Sequence, residues 1–285
     1  MRLGIFAKTF PGTDPATVLG AARDAGYDCV QWNWSCAGLE PLPARVPARA
    51  LDATRRAIEA TGTDVVAVSG TFNLIHPDRA VRAAGLARLE TVARHATELG
   101  TGLVTLCTGT RDPHDPWRAH PDNASEAAWE DLLRGLAGAV EIAGRHGVRL
   151  GIEPELGNVV DGVERARRLL DEAPAAFGRA EAEATLRVVL DAANLAERGD
   201  ADERRPGIEA AIEALGPHVE IAHAKDRRAD GRFAPVGDGA IDFGHYVRRL
   251  ARAGFDGPVV VHGLDAADAP RAARRLRPLL ANASA

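Results

Sequence analysis

Lysine is nearly missing from this chain: of the 35 basic residues among its 285, only Lys8 and Lys225 are lysine. Arginine is therefore the default cation at any tolerant surface position, and a position that keeps lysine calls for a reason. Cysteine is scarce too. Cys29, Cys36 and Cys107 lie far apart, in neither a metal-ligand spacing nor a disulfide framework, which suits a reducing compartment. No apolar stretch approaches the ~18 residues that span a bilayer. The N-terminus opens on a short apolar strand rather than the charged-then-apolar pattern of a signal peptide. There is no basic run, and the net charge is -5 with signs interspersed, unlike the basic face of a duplex-binding protein. Together these absences lead us to expect a soluble, cytoplasmic protein that binds neither membrane nor nucleic acid.

What is present is regular. Apolar residues make up 46% of the chain and charged residues 26%, an ordinary globular composition. Short β-branched runs alternate with longer alanine-rich amphipathic stretches from end to end. Strands are expected over residues 3–6, 29–32, 64–69, 103–107, 149–153, 187–191, 219–223 and 258–262. Helices are expected over 15–25, 47–61, 78–99, 125–146, 162–172, 206–215, 243–253 and 267–280. Asp14 and Pro15 make an N-cap and first helical position. Gly62, Gly100, Gly147, Gly216 and Gly254 each stand between a helix and the next strand, as αβ loops require. Residues 174–186 and 198–205 read as solvated connections. Eight such units allow a closed barrel or a doubly wound sheet. After the first strand stands Lys8-Thr9-Phe10-Pro11-Gly12 rather than a glycine-rich phosphate fingerprint. Eight is also the number that closes a barrel of roughly 250 residues. A single (β/α)8 TIM barrel over residues 1–285 is expected.

Chemistry in such a barrel gathers where the strands end. The last four expected strands end in Glu153, Asp191, His223 and His262, each a metal-binding group after an apolar run. Any one of them reads equally well as a polar strand cap. Four in succession would be aimed at one point, because successive barrel strands are neighbours. A mixed carboxylate and imidazole set suits Mn²⁺, Fe²⁺, Co²⁺ or Zn²⁺ better than Ca²⁺.

Other residues carry two readings each. Lys225 lies two residues beyond His223, on the same side of the strand; it is placed to hold a substrate oxygen or phosphate, or to pair with Asp226 or another carboxylate. Lys8 also falls at a strand end. Glu155 and Asn158 follow Glu153 in one loop, as hydroxyl ligands or loop caps. His76 faces the pocket or caps the helix starting near 78. Trp32 and Trp34, with Asn33 between them, share one side of the strand as a wall for a sugar ring or as a buried packing pair. Arg111, in the long loop 108–123, is a candidate for a phosphate or carboxylate.

Three segments carry a resemblance. Leu150-Gly151-Ile152-Glu153-Pro154-Glu155, Val188-Val189-Leu190-Asp191-Ala192-Ala193-Asn194-Leu195 and Ile221-Ala222-His223-Ala224-Lys225-Asp226 resemble the metal-binding strands of the xylose-isomerase-like TIM barrels. That superfamily includes sugar and sugar-phosphate isomerases and epimerases, inosose dehydratases and endonuclease IV. The resemblance extends through Val236-Gly237-Asp238-Gly239 and covers essentially the whole chain. It implies one divalent metal ion, Mn²⁺ first with Co²⁺, Zn²⁺ or Mg²⁺ as alternatives, on Glu153, Asp191, His223 and His262. It further implies a small carbohydrate substrate, with Glu153 moving a proton next to a chelated carbonyl and with Asn194 and Asp226 near the substrate. Members are often dimers or tetramers, so a homo-oligomer is compatible with it.

Two departures stand out. The family's last strand commonly ends in a second Glu, where this chain has His262, and the residue three beyond the Asp ligand is commonly His, where it has Asn194. A two-glutamate epimerase mechanism does not carry over, and His262 or Lys225 becomes the partner of Glu153. An isomerase or epimerase leads. A dehydratase or lyase of a keto-sugar, needing one base and one acid, and a barrel subunit without catalysis remain open. An endonuclease-IV-like phosphodiesterase is disfavoured, because Ser69, Cys107 and Asn194 stand where it would need further histidines.

Overall fold

Eight parallel strands close into a barrel in this computed structural model, which describes residues 1–283. They are β1 (Arg2–Phe6), β2 (Cys29–Trp32), β3 (Asp64–Ser69), β4 (Leu103–Cys107), β5 (Arg149–Glu153), β6 (Leu186–Asp191), β7 (Val219–Ala224) and β10 (Pro258–Val261). β1 pairs with both β2 and β10, which closes the ring. Two short strands, β8 (Asp226–Arg227) and β9 (Phe233–Ala234), form an antiparallel hairpin just beyond β7. The expected (β/α)8 architecture is therefore present, and four of the eight expected strands match to the residue. Among the described residues no helix is long and apolar enough to cross a membrane.

The helices begin and end for local reasons. α1 (Pro15–Asp24) starts where the Asp14 side chain accepts from the Thr17 N–H at 2.9 Å. α4 (Glu126–His146) ends at Gly147, whose φ of 65 is left-handed backbone that suits glycine. The remaining long helices are α2 (Ala48–Thr61), α3 (Arg79–Ala96), α5 (Val163–Phe177), α7 (Ala201–Leu215), α8 (Phe243–Arg252) and α9 (Ala269–Ala283), with a short α6 (Arg179–Thr185) before β6. They pack outside the barrel, where Trp32, Trp34, Trp129, Tyr27 and Tyr246 are fully buried.

Two expected connections are helical instead. Residues 174–186 hold the end of α5, which continues through Pro174 to Phe177, and all of α6. Residues 198–205 hold the start of α7, where Asp200 and Glu203 form a reciprocal capping box. Pro206 lies inside α7 rather than at its start. Arg204 is not solvated: it is 3% exposed, and its guanidinium donates to the carbonyls of Ala196, Glu197, Gly199 and Arg228. An arginine-rich stretch reads as surface until one guanidinium finds four carbonyls to satisfy it.

Alternation along each strand sorts the side chains into the barrel or out against the helices. Ala67, Leu103, Val189, Ile221 and Val260 fill the lower interior as one apolar cluster. Gly151 sits level with them; a Cβ there would come within 2.9 Å of Val189 Cγ2. The position two further along each strand is also inward, and those positions hold the polar groups.

Candidate metal centre

That next layer contains Glu153 on β5, Asp191 on β6 and His223 on β7. Each offers a ligand atom, and these atoms all lie within 4.8 Å of one another. The strand pairing brings this about: Asp191 stands opposite His223, and Glu153 opposite Cys107 of β4. His223 Nδ1 is 3.1 Å from Glu153 Oε1. Asp191 Oδ1 accepts from the Ala193 N–H at 2.9 Å, while its Oδ2 is buried with no hydrogen-bond partner, the Lys225 ammonium standing off at 4.0 Å. A buried carboxylate oxygen without a donor is costly, and a cation beside Glu153 and His223 would satisfy it. The donor set, two carboxylates and an imidazole, fits a divalent ion of the Mn²⁺, Co²⁺ or Zn²⁺ type.

Electrostatics agree with the geometry. Burial alone would raise the Glu153 carboxyl, but the facing His223, with Lys225 and His262, outweighs it and holds the group at about 2. Asp191 is pushed up to about 7, first by burial and then by the Glu153 charge, against the pull of Lys225 and His223. His223 is raised, because the Glu153 carboxylate more than offsets its own burial. Without a cation, the site sets a lowered carboxyl on Glu153 against a raised carboxyl on Asp191 and a raised imidazole on His223.

His262 stands apart from this trio. Its ring stacks on His223 at 5.5 Å between centroids with an interplanar angle of 11°, and on Phe6 at 5.0 Å and 23°. Its Nδ1 has no partner, and burial and the neighbouring His223 lower it to about 3. The expected fourth ligand is thus placed as a neutral ring beside the cluster rather than as a member of it.

Lys225 and Asn194 complete the inner surface. Asn194 Nδ2 donates to Glu153 Oε1 at 3.2 Å and to Glu155 Oε2 at 2.9 Å, while its Oδ1 accepts from Lys225 Nζ at 3.2 Å. Lys225 lies 3.9 Å from Glu155 and 4.0 Å from Asp191. It does not pair with Asp226, which accepts instead from the backbone N–H groups of Arg227, Gly237, Gly239 and Ile241 and so ties down the loop after β7. Above this floor opens a cavity of about 680 Å³, within the ~300–1,000 Å³ of small-molecule sites. Both lysines of the chain line it, with Asn33 and Glu155. Phe233 and Trp117, each 51% exposed, add an apolar rim.

Five expected substrate contacts are directed elsewhere. Trp32 is fully buried; it does share a side with Trp34, but that side faces the helices, because Gln31 and Asn33 take the inward positions. Arg111 donates to Asp131 and to the carbonyls of Ile75 and Ala127, so its guanidinium is already committed. His76 accepts from the Asp78 N–H at 3.0 Å and sits 3.2 Å from the Pro113 carbonyl, a loop brace. Asn158 accepts from Gly109 N–H and donates to the Pro116 carbonyl. Asp226 is the backbone hub just described.

Sequence reading missed Gln31 and Phe6. Phe6 lines the cavity from β1, and Gln31 accepts at Oε1 from His223 Nε2 at 2.9 Å. The available signal was a lone amide inside the otherwise apolar strand Cys29-Val30-Gln31-Trp32.

Residues 19–280 match the family described as "Xylose isomerase-like TIM barrel". No curated protein matches the sequence. Among solved structures, a D-tagatose 3-epimerase-like protein is similar with a TM-score of 0.77 at 17% identity, covering 99% of this chain and 98% of that one. The IOLI protein with a bound zinc atom is similar with a TM-score of 0.71 at 17% identity, covering 99% of both chains. The probable 3-DHS dehydratase AsbF from Bacillus anthracis is similar with a TM-score of 0.74 at 12% identity, covering 98% of this chain and 99% of that one. At such identities the structures speak for the fold alone; the match over residues 19–280 carries the family, and the chain belongs to the xylose isomerase-like TIM barrels.

Proposed function

We propose that this chain is a divalent-metal-dependent enzyme that moves a proton next to the carbonyl of a small polyhydroxylated substrate such as a keto-sugar. The observation that supports it is the convergence of Glu153, Asp191 and His223 within 4.8 Å, with Asp191 Oδ2 buried and without a hydrogen bond. Mn²⁺ is the first choice of ion, with Co²⁺, Zn²⁺ or Mg²⁺ as alternatives; the similar IOLI protein was solved with zinc. The bound ion supplies Lewis-acid polarisation of the substrate carbonyl.

The chain's own groups do the rest. Glu153, charged and at the cavity floor, takes the proton. Asn194 orients it by donating to Oε1. Lys225, 4.0 Å from Asp191 and open to the cavity, offers its ammonium to the oxygen on which negative charge develops. Lys8 and Asn33 reach the outer part of the substrate.

The geometry favours one acid/base group on one face. The second position, His262, is sandwiched between Phe6 and His223 and is not a carboxylate. Isomerisation by a single base, or loss of water as in the similar dehydratase, fits this arrangement better than epimerisation between two carboxylates. The three free, buried thiols suit a reducing, cytoplasmic setting.

Elemental analysis of untagged protein tests the centre: about one divalent ion per chain in the wild type, lost in Glu153→Ala, is expected. Glu153→Gln keeps an oxygen but cannot take a proton. It should retain part of the metal and lose roughly 10²–10⁴-fold in substrate proton exchange, followed by NMR in deuterated water. A protein that takes up no Mn²⁺, Co²⁺ or Zn²⁺, or a Glu153→Gln variant with full exchange, overturns the proposal.

A further inference from the structure

We infer that Gln31 is a positioning residue that decides which nitrogen of His223 is free to hold a cation. The inference rests on the metal centre proposed above and concerns a residue outside its ligand set.

Gln31 is 4% exposed inside the barrel, on a strand whose other side chains are apolar or face outward. An amide in that position costs free energy unless both of its ends are hydrogen-bonded. Both are. Its Nε2 donates to Thr105 Oγ1 at 3.1 Å, and its Oε1 lies 2.9 Å from His223 Nε2. Thr105 is itself buried, at 3% exposure; its hydroxyl oxygen takes the amide nitrogen, and the carbonyl oxygen is turned to the imidazole.

An imidazole that donates through one ring nitrogen keeps its lone pair on the other. With the Nε2 proton held on Gln31 Oε1, the lone pair belongs to Nδ1. That is the nitrogen 3.1 Å from Glu153 Oε1, among the converging donors. The opposite tautomer would place the lone pair on the Gln31 side, away from both carboxylates. The stack on His262, with rings 11° from parallel, keeps the imidazole plane pointed along this line. Three links therefore lie in series: Thr105 orients Gln31, Gln31 holds the Nε2 proton, and Nδ1 faces the carboxylates. None of the three strands involved (β2, β4, β7) would reveal this alone.

The test uses two variants and one measurement that needs neither. Gln31→Met keeps the length of the side chain but removes the acceptor; Gln31→Glu keeps an acceptor. Zn²⁺ dissociation constants, by competition with a chromophoric chelator, should weaken roughly 10–100-fold in Gln31→Met and stay near wild type in Gln31→Glu. Nitrogen NMR of wild-type protein with isotope-labelled histidine, loaded with Zn²⁺, should show the proton on His223 Nε2 and the metal on Nδ1. Rescue by Gln31→Glu separates loss of the acceptor from general damage to the core, which would weaken both variants.

A proton on Nδ1 in the loaded wild type overturns the inference, as does a Gln31→Met variant that binds Zn²⁺ as tightly as wild type. Either result leaves the metal centre standing. A wild-type protein that binds no Zn²⁺ overturns both.

Discussion

One barrel interior is built twice in this molecule, one pleat apart. In the lower layer Val189, Ile221 and Val260 fill the space with apolar groups. Two residues further along the same strands stand Asp191, His223 and His262, and Gly151 is followed in the same way by Glu153. The lower layer follows the usual logic of a core: every group is matched to its neighbours, and nothing is left unsatisfied. The upper layer breaks it, with a carboxylate oxygen and a ring nitrogen buried without hydrogen bonds. Sites that break local rules while their surroundings keep them are where function is found. The difference teaches that the lower layer exists to hold the upper one in register.

The sharpest way to test that division is to damage the lower layer. Ile221→Ala should cost about 2–5 kcal/mol in urea unfolding, the range for a large-to-small change in a packed core. Metal stoichiometry of the folded variant should remain that of the wild type. If Ile221→Ala lost its metal while folded, the two layers would not be separable.

The upper layer should behave in the opposite sense. Asp191 has a carboxyl raised to about 7, from an ordinary value of 3.8. In the metal-free protein the folded state binds more protons than the unfolded state between those values, so this group subtracts stability as pH rises through that window. Relative to Asp191→Asn, metal-free wild type should match it below about pH 4. It should fall behind by on the order of a few kcal/mol by neutral pH. Removing a ligand should thus stabilise the empty protein while abolishing its metal. Denaturant titrations of both proteins at pH 4 and 7, with chelator present, decide it; a wild type that gains on the variant as pH rises would refute the assignment.

The two layers were not equally legible in the sequence. β-branched runs and terminating glycines located the strands, because backbone propensity and loop chemistry act over a few residues. The strand-end groups Glu153, Asp191 and His223 were legible for the same reason: a charge directly after an apolar run is a local signal. Long-range partners were not. Nothing near Arg111 announces that Asp131 and two carbonyls will take its guanidinium, and nothing near Arg204 announces that the Arg228 carbonyl will join the three local ones around its guanidinium. Trp32 keeps two readings in the sequence because the strand's inward parity is undecided there; Gln31 fixes that parity only once His223 is seen opposite it. His262 was legible as a strand end but not as a stacked ring, since Phe6 lies at the other end of the chain.

The smallest expected effect concerns the rim, where apolar side chains face solvent rather than fill a core. Trp117 is 51% exposed, while Trp32, Trp34 and Trp129 are buried to 1% or less. Iodide should therefore quench essentially one tryptophan, and Trp117→Ala should remove that component while changing stability by no more than about 0.5 kcal/mol, as for a surface position. Because Trp117 and the two lysines line the same cavity, a keto-sugar bound over Glu153 should shield the indole from iodide in metal-loaded protein and not in Glu153→Ala. Shielding that persists without the metal would mean that rim and floor bind independently, and the mouth would then be two surfaces rather than one site.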